Sequence, residues 1–360
     1  MPPARHTDLE RALAEAARVA QRAPSVFNTQ PWRWRVGPRS LELLRDPGRQ
    51  LTPADPDGHQ LLLSCGAALH HARLALAAAG RLVDVSRLPD EADPDLLARL
   101  DVHGHAEPDP WVRRLRGAIP TRHTDRRPFG PTRAEPATLA RLEAAARAED
   151  TGLYPVPDGR VPTLARAAAV AAAAELADPA YRAMAARWTG RPPGSDDGVA
   201  PGSAVRPGPH RVPVRDYTPA ADAGRTPQTT TATPVTPGAD AASGLPRVGD
   251  PAQAGILAAG SGDDRGTTYA ILHGPGDGPR DWLRAGEALS AVLLTTVVEG
   301  LANSPMTDVL EVPEAAGLVR GLLPGGDVPY LVLRIGVAVE SDAPPPTARR
   351  RPGSDRGFGG

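Results

Sequence analysis

CGAALHHARLALAAAGR (65–81) and AGEALSAVLLTTVVEGL (285–301) run in step at a constant offset of 220 residues. Gly66 matches Gly286, Ala68 matches Ala288, Leu69 matches Leu289, Leu74 matches Leu294 and Gly80 matches Gly300. Two helices rich in Ala and Leu can agree this far by chance, but glycines at both matching ends are harder to obtain that way. A real repeat makes the chain two copies of one α+β unit, each built on a central helix. Such a fused pair mimics a two-fold dimer, and interfaces of that kind commonly house cofactors.

Around the first copy, residues 8–22 carry Leu9, Leu13, Ala16, Ala17 and Ala20 at helical spacing, with Asp8 as N-cap and Pro24 as the stop. Trp32–Val36 and Leu41–Leu43 alternate around Gly37-Pro38 and predict a hairpin or two edge strands. A long helix is expected over 59–80, ended by Gly80, and a strand at Val83 and Val85. Around the second copy, helices are expected at 135–148, 161–188 (broken near Asp178-Pro179), 280–301 and 311–322. Strands are expected at 152–156, 269–273 and 330–339. Ser304-Pro305-Met306 reads as a turn after the second repeat helix. The organisation is therefore a half at 1–115, a second half at 116–340 and a Pro/Arg tail at 341–360. Within the second half, 190–265 is rich in Pro, Gly, Thr and Ser with few apolar anchors. Its 218–250 portion reads as a disordered linker and its RVPVRDY stretch as a lid that could dock.

At 360 residues the chain is long enough for two domains and a sizeable core. Lys+Arg 41 against Asp+Glu 42 argues against a dedicated nucleic-acid or anionic-membrane surface. There is no Lys, so every one of those cations is Arg. The single cysteine, Cys65, excludes an internal disulfide framework or a Cys-cluster metal site, and its apolar setting predicts a core residue. No uninterrupted apolar run predicts a membrane span, and residues 1–10 lack the apolar stretch of a signal peptide, so the expected compartment is the cytoplasm.

Three segments carry candidate chemistry. In RHTDRRPF (122–129), Arg122, Arg126 and Arg127 surround His123 and the Thr124 hydroxyl. Forked guanidinium bonds plus a hydroxyl suit a phosphate, although a solvated basic turn has the same composition. In APSVFNTQPWRW (23–34), Ser25, Asn28, Thr29 and Gln30 stand beside Pro24, Phe27 and Trp32. That set suits a planar heterocycle with donors and acceptors on its edge, and equally a capped turn. Arg334 lies inside an apolar strand, where it needs either an anion or a route to solvent. His70-His71 and His103-x-His105 lack zinc-site spacing. G-x-G-x-x-G after a strand, a Walker lysine and G-x-S-x-G are all absent.

APSVFNTQPWRW resembles the P-S-x-x-N-x-Q-P-W signature of the nitroreductase superfamily, and RHTDR its R-x-[ST]-x-[RK] flavin-phosphate motif. With LLLSCGAALHHARLAL, DPAYRAMAARWTG, VPVRDY, DWLRAGEAL, LEVPE and the RRRP tail, the chain is similar to the Acg family of FMN-binding nitroreductase-like proteins over about residues 10–352. The resemblance implies an α+β nitroreductase-like fold whose two fused halves stand in for a dimer, in a chain that acts as a monomer or further self-associates. It implies one surviving site, since the first half has the PS-x-x-N loop and the second the arginine motif. Arg122, His123, Thr124 and Arg126 would hold the FMN phosphate with help from Arg350 or its neighbours. Pro24, Ser25 and Asn28 would meet the ring from the other half, with Ser304, Pro305 and Met306 lining it. The tail reads A-R-R-R-P where the family often has P-R-R-P, which leaves the identity of the phosphate-binding arginine open.

The implied activity is hydride transfer from NAD(P)H to the flavin and on to a nitro compound, quinone or similar small-molecule acceptor. No side-chain catalytic dyad is needed, because the cofactor carries the redox chemistry. The alternative is a flavin-sequestering protein whose lid closes over the ring.

Overall fold

The computed structural model describes residues 8–189, 191–192, 194–200, 204–205, 208–217, 260–340 and 347–350. The 218–250 linker and most of the Pro/Arg tail lie outside these residues.

Two long helices form the centre. Helix α2 (His59–Ala78) begins where the Asp55 carboxylate accepts the backbone amides of Gln60 at 3.0 Å and Leu61 at 2.9 Å. Those first-turn donors have no partner within the helix, so the carboxylate supplies one. It ends before Gly80, whose φ of 73° lies in the left-handed region that glycine enters without strain. Helix α7 (Pro279–Val298) matches α2 in length and in its exit glycine, Gly300. The two cross where Gly66 meets Gly286. A Cβ on Gly66 would lie 1.9 Å from the Leu283 carbonyl oxygen, and one on Gly286 would lie 2.0 Å from that of Leu63. Four residues further along, His70 Nδ1 and Ser290 Oγ lie 2.8 Å apart. Each contact joins positions that the sequence offset pairs or places symmetrically.

One four-stranded antiparallel sheet flanks each helix. The first is built from β1 (Trp32–Val36), β2 (Ser40–Arg45), β3 (Arg81–Arg87) and β4 (Leu96–His105), in the order β1-β2-β4-β3. The second is built from β5 (Gly152–Pro155), β6 (Thr268–Gly274), β7 (Ala302–Met306) and β8 (Val328–Gly336), in the order β5-β6-β8-β7. In both, two strands precede the central helix and two follow it, but in the second two helices lie between β5 and β6 and two further helices between β7 and β8. Helix α1 (Asp8–Ala20) packs on α2, and α4 (Pro136–Arg147) packs on α7. The cores interlock: Leu283 of α7 is buried among first-half residues and Leu63 of α2 among second-half residues. The remaining helices are α3 (Pro110–Ala118), α5 (Val161–Ala177), α6 (Pro179–Thr189), α8 (Asp308–Glu311) and α9 (Pro313–Arg320). The expected break at Asp178-Pro179 separates α5 from α6.

Two expectations are corrected. Ser304-Pro305-Met306 is no turn but the end of β7, an edge strand, where a proline costs no ladder bond that a neighbour needs. Strand β4 is not among the expected strands, because its outward Arg99, Asp101 and His103 interrupt the apolar pattern. Among the described residues, α2 is the one helix that is by length and composition apolar enough to cross a membrane, although Ser64, His70, His71 and Arg73 punctuate it. Most of its surface is covered by α1, α3, α7 and the first sheet.

Gly66→Ala is expected to force α2 and α7 apart and to cost about 2–4 kcal/mol in urea unfolding. Gly117→Ala in α3, where a Cβ meets nothing within 4 Å, is the control and should be neutral or gain up to about 1 kcal/mol. Equal stability of the two variants would mean that the helices can separate freely.

Candidate functional site

The loop after α1 is held in an unusual backbone. Phe27, Asn28 and Gln30 have φ of 49°, 53° and 50°. Left-handed conformations in side-chain-bearing residues cost energy and persist only where the surroundings enforce them. Here the enforcement is polar. Ser25 Oγ accepts the Gln30 amide at 2.9 Å, and the Thr29 hydroxyl donates to the Val26 carbonyl at 3.0 Å. Asn28 Nδ2 donates to the carbonyls of Gly198 at 3.0 Å and Ala348 at 3.1 Å, while its Oδ1 accepts from Arg349 at 2.8 Å. Gln30 Nε2 donates to the Asp196 carbonyl, and its Oε1 accepts the Arg350 amide, both at 2.9 Å. The signature Asn and Gln thus tie the early loop to segment 196–199 and to the tail. Both amide protons of Asn28 are committed to protein carbonyls. Cys65, fully buried, donates to the Pro31 carbonyl at 3.3 Å and anchors the same loop on α2.

The arginine loop comes from the other side. The Asp125 amide donates to the Asn303 carbonyl at 2.9 Å, hooking the loop onto β7. Arg127 is neutralised by a forked pair with Asp125, at 2.9 and 2.6 Å. Arg334 is fully buried and finds its anion inside the protein, Asp264 at 2.8 Å, and it also donates to the Arg127 carbonyl at 3.2 Å. Burial works to raise the Asp264 carboxyl, but His210, Arg334 and the Phe129 amide outweigh it and hold it well below the usual range. This pair supports the loop and takes no place in the cavity.

Arg122, by contrast, has no carboxylate acting on it among the described residues. It is buried, and its Nε and Nη1, like those of Arg334, have no hydrogen-bond partner among the described residues. Burial, and then the neighbouring charge of Arg126, depress its pKa to about 10. Burial, Arg122 and Arg22 depress Arg349 to about 9. Burial also pushes His71 on α2 well below its ordinary value, with His70, Arg122 and Arg349 adding to the effect. Every named neighbour in these shifts is itself a base. Such a gathering of positive groups is what an anion site requires.

Two adjoining cavities share Pro24, Ser25, Thr124 and Arg126. The polar one adds Asn28, Arg122, His123 and Arg349. The other is mostly apolar, with Val26, Phe27 and Leu63 from one half and Leu289, Pro305 and Leu331 from the other. Tyr217 also lines it, edge-on to Phe27 at 5.3 Å and with the Arg126 guanidinium 4.2 Å from its ring. Pro24, Ser25, Asn28, Arg122, His123, Thr124, Arg126 and Pro305 are therefore together. Ser304 and Met306 are buried in the second half and line neither cavity. Arg350 turns the other way: its guanidinium donates to the carbonyls of Gln30 at 3.0 Å and Trp32 at 3.4 Å. Arg349 occupies the cavity in its stead. Sequence reasoning missed Leu63, Leu289 and Tyr217. The facing glycines were the signal that α2 and α7 come close enough to bring the two leucines to one space.

No family model matches the chain. Among curated relatives, "Putative NAD(P)H nitroreductase Rv3131" of Mycobacterium tuberculosis (strain ATCC 25618 / H37Rv) is 39% identical over 337 residues, 92% of this chain and 87% of that protein. "Putative NAD(P)H nitroreductase acg" of the same strain is 32% identical over 346 residues, 94% and 93% of the two chains. The chain belongs to the Acg-like nitroreductase family. A third relative from that strain, "Uncharacterized protein Rv3127", is 30% identical over 351 residues, 94% and 91%. For this Acg-like protein the loops carrying the family's two motifs face one another across the shared cavities.

The unneutralised arginines predict a stabilising anion. Replacing chloride by inorganic phosphate at matched ionic strength should raise the melting temperature by a few degrees, and Arg122→Met should lose most of that gain. An equal rise in both proteins would place the phosphate elsewhere.

Proposed function

We propose that the chain is an FMN-dependent oxidoreductase that takes reducing equivalents from NAD(P)H and delivers them to a small nitro- or quinone-like acceptor. The observation that carries this reading is the buried Arg122 guanidinium, which no carboxylate among the described residues neutralises, set beside Arg349 at the polar end of a two-part cavity. Arg122, Arg126 and Arg349 supply charge for a phosphate, and the Thr124 hydroxyl and His123 line the same end. Pro24, Ser25 and Leu63 from one half and Leu289, Pro305 and Leu331 from the other fit the faces of a flat ring. When bound, FMN would supply the hydride chemistry. The chain's own task is then to hold, orient and shield. Asn28 holds the Arg349 guanidinium in place rather than donating to a ligand. Phe27 and Tyr217 keep water from the apolar end.

The same reading takes the two halves as fused copies that replace a symmetric dimer, in a chain that works as a monomer. It is supported by the shared strand order, the reciprocal glycine contact and the unequal distribution of the two motifs. One FMN per chain is expected from the absorbance ratio of reconstituted protein, and two would overturn the single-site reading. A second reading is favoured by Tyr217 lying across the apolar cavity: a flavin store that NAD(P)H cannot reach. Anaerobic NADPH separates the two. Loss of the yellow absorbance, restored by air, supports the oxidoreductase, whereas protein that stays yellow supports the store.

A further inference from the structure

A third cavity, of about 280 Å³, opens between α5, α6 and the segment 213–216. Its walls are small and apolar. Ala168 and Ala172 come from α5, Ala185 and Ala186 from α6, and Phe27 closes one side. Larger aliphatic side chains at these positions would fill the space, as close packing normally does.

Charge is unbalanced beside these walls. Arg215 reaches Glu175 at 2.9 Å and Glu311 at 2.6 Å. Asp308 is buried next to the same ions, its carboxyl pushed up by burial while Arg215 opposes and Glu311 reinforces the rise. Three carboxyl groups from α5 and α8 thus share one guanidinium. The other charged groups lining the space are Arg182, which donates to the Leu176 carbonyl, and Asp216, and they carry opposite signs. The Tyr181 hydroxyl lines the cavity too, buried beside the Glu175 carboxyl, whose ionised form it favours, and with no other partner among the described residues. A buried hydroxyl that gives its proton to a carboxyl keeps lone pairs free, and with the surplus carboxyls it marks a place for a donor. Burial lifts the Glu175 carboxyl to about 7, so near neutrality it stands ready to ionise against an incoming cation.

We propose that this cavity binds a small apolar molecule carrying one cationic group, with Glu175, Asp308 and Tyr181 as acceptors and the alanine walls against the hydrocarbon body. The site shares Phe27 with the ring cavity but uses no residue of the arginine cluster. It therefore stands whether or not the chain binds FMN.

Calorimetric titration of the full chain with benzylammonium, benzyl alcohol and benzoate tests it. Benzylammonium should bind about tenfold tighter than benzyl alcohol, and benzoate should not bind measurably. Because the cation favours the ionised carboxylate, benzylammonium affinity should rise several-fold from about pH 6 to about pH 8. Glu175→Gln should weaken it about tenfold and flatten that pH dependence. Ala172→Leu leaves every charge in place but fills the space. It should abolish binding of benzylammonium and benzyl alcohol while phosphate stabilisation of the arginine cluster persists. Equal binding of the three probes, binding of none, or binding that survives Ala172→Leu would each overturn the proposal.

Discussion

Everything in this structure depends on how closely α2 and α7 approach. Two backbones can come within contact distance only where no side chain stands between them, and Gly66 and Gly286 provide that on both sides. The approach lets Leu63 and Leu283 cross into the opposite cores, so neither half has a complete interior of its own. It also brings Glu287, fully buried on α7, between Arg73 at 2.6 Å and Arg87 at 2.6 Å from the first half. A buried carboxylate is tolerable only when paired, so this crossing contributes specificity as well as packing: a slip of either helix would strand the charge.

Where the two halves meet, the chain accepts strain. Three left-handed residues lie close together between α1 and β1, and arginines from the second half and the tail are gathered against mutual repulsion. Both features are unfavourable taken alone. Hydrogen bonds from Asn28 and Gln30 fix the first, and the Asp264–Arg334 pair with its bond to the Arg127 carbonyl fixes the second. The division of labour among the arginines follows: Arg127 and Arg334 are neutralised and structural, while Arg122 and Arg349 present charge to a cavity.

Segment 210–217 bridges the apolar cavity and the carboxyls of α5 and α8. Tyr217 lies against Phe27 and Arg126 over the apolar cavity, and Arg215 is sunk among carboxyls of α5 and α8. An ion pair with two carboxylates anchors the segment far more firmly than a surface contact would. Tyr217, lining the apolar cavity, is thus two residues from an anchored Arg215.

The sequence by itself determined the central helices, most strands and the loops that carry the site, because apolar periodicity, stop signals and motif spacing are local properties of the chain. Val83 and Val85 announced β3, Gly80 announced the end of α2, and Pro24-Ser25 with Arg122, Thr124 and Arg126 announced the cavity. Only the tertiary structure decided that Arg349 rather than Arg350 enters that cavity, that Asn28 clasps the tail, that Asp264 is the partner of Arg334 and that Pro305 sits on an edge strand. Those outcomes join residues 321 positions apart for Asn28 and Arg349 and 70 apart for Asp264 and Arg334. No local pattern encodes which of Arg349 and Arg350 faces the cavity. That follows from how the tail docks on the early loop, through Asn28 and Gln30.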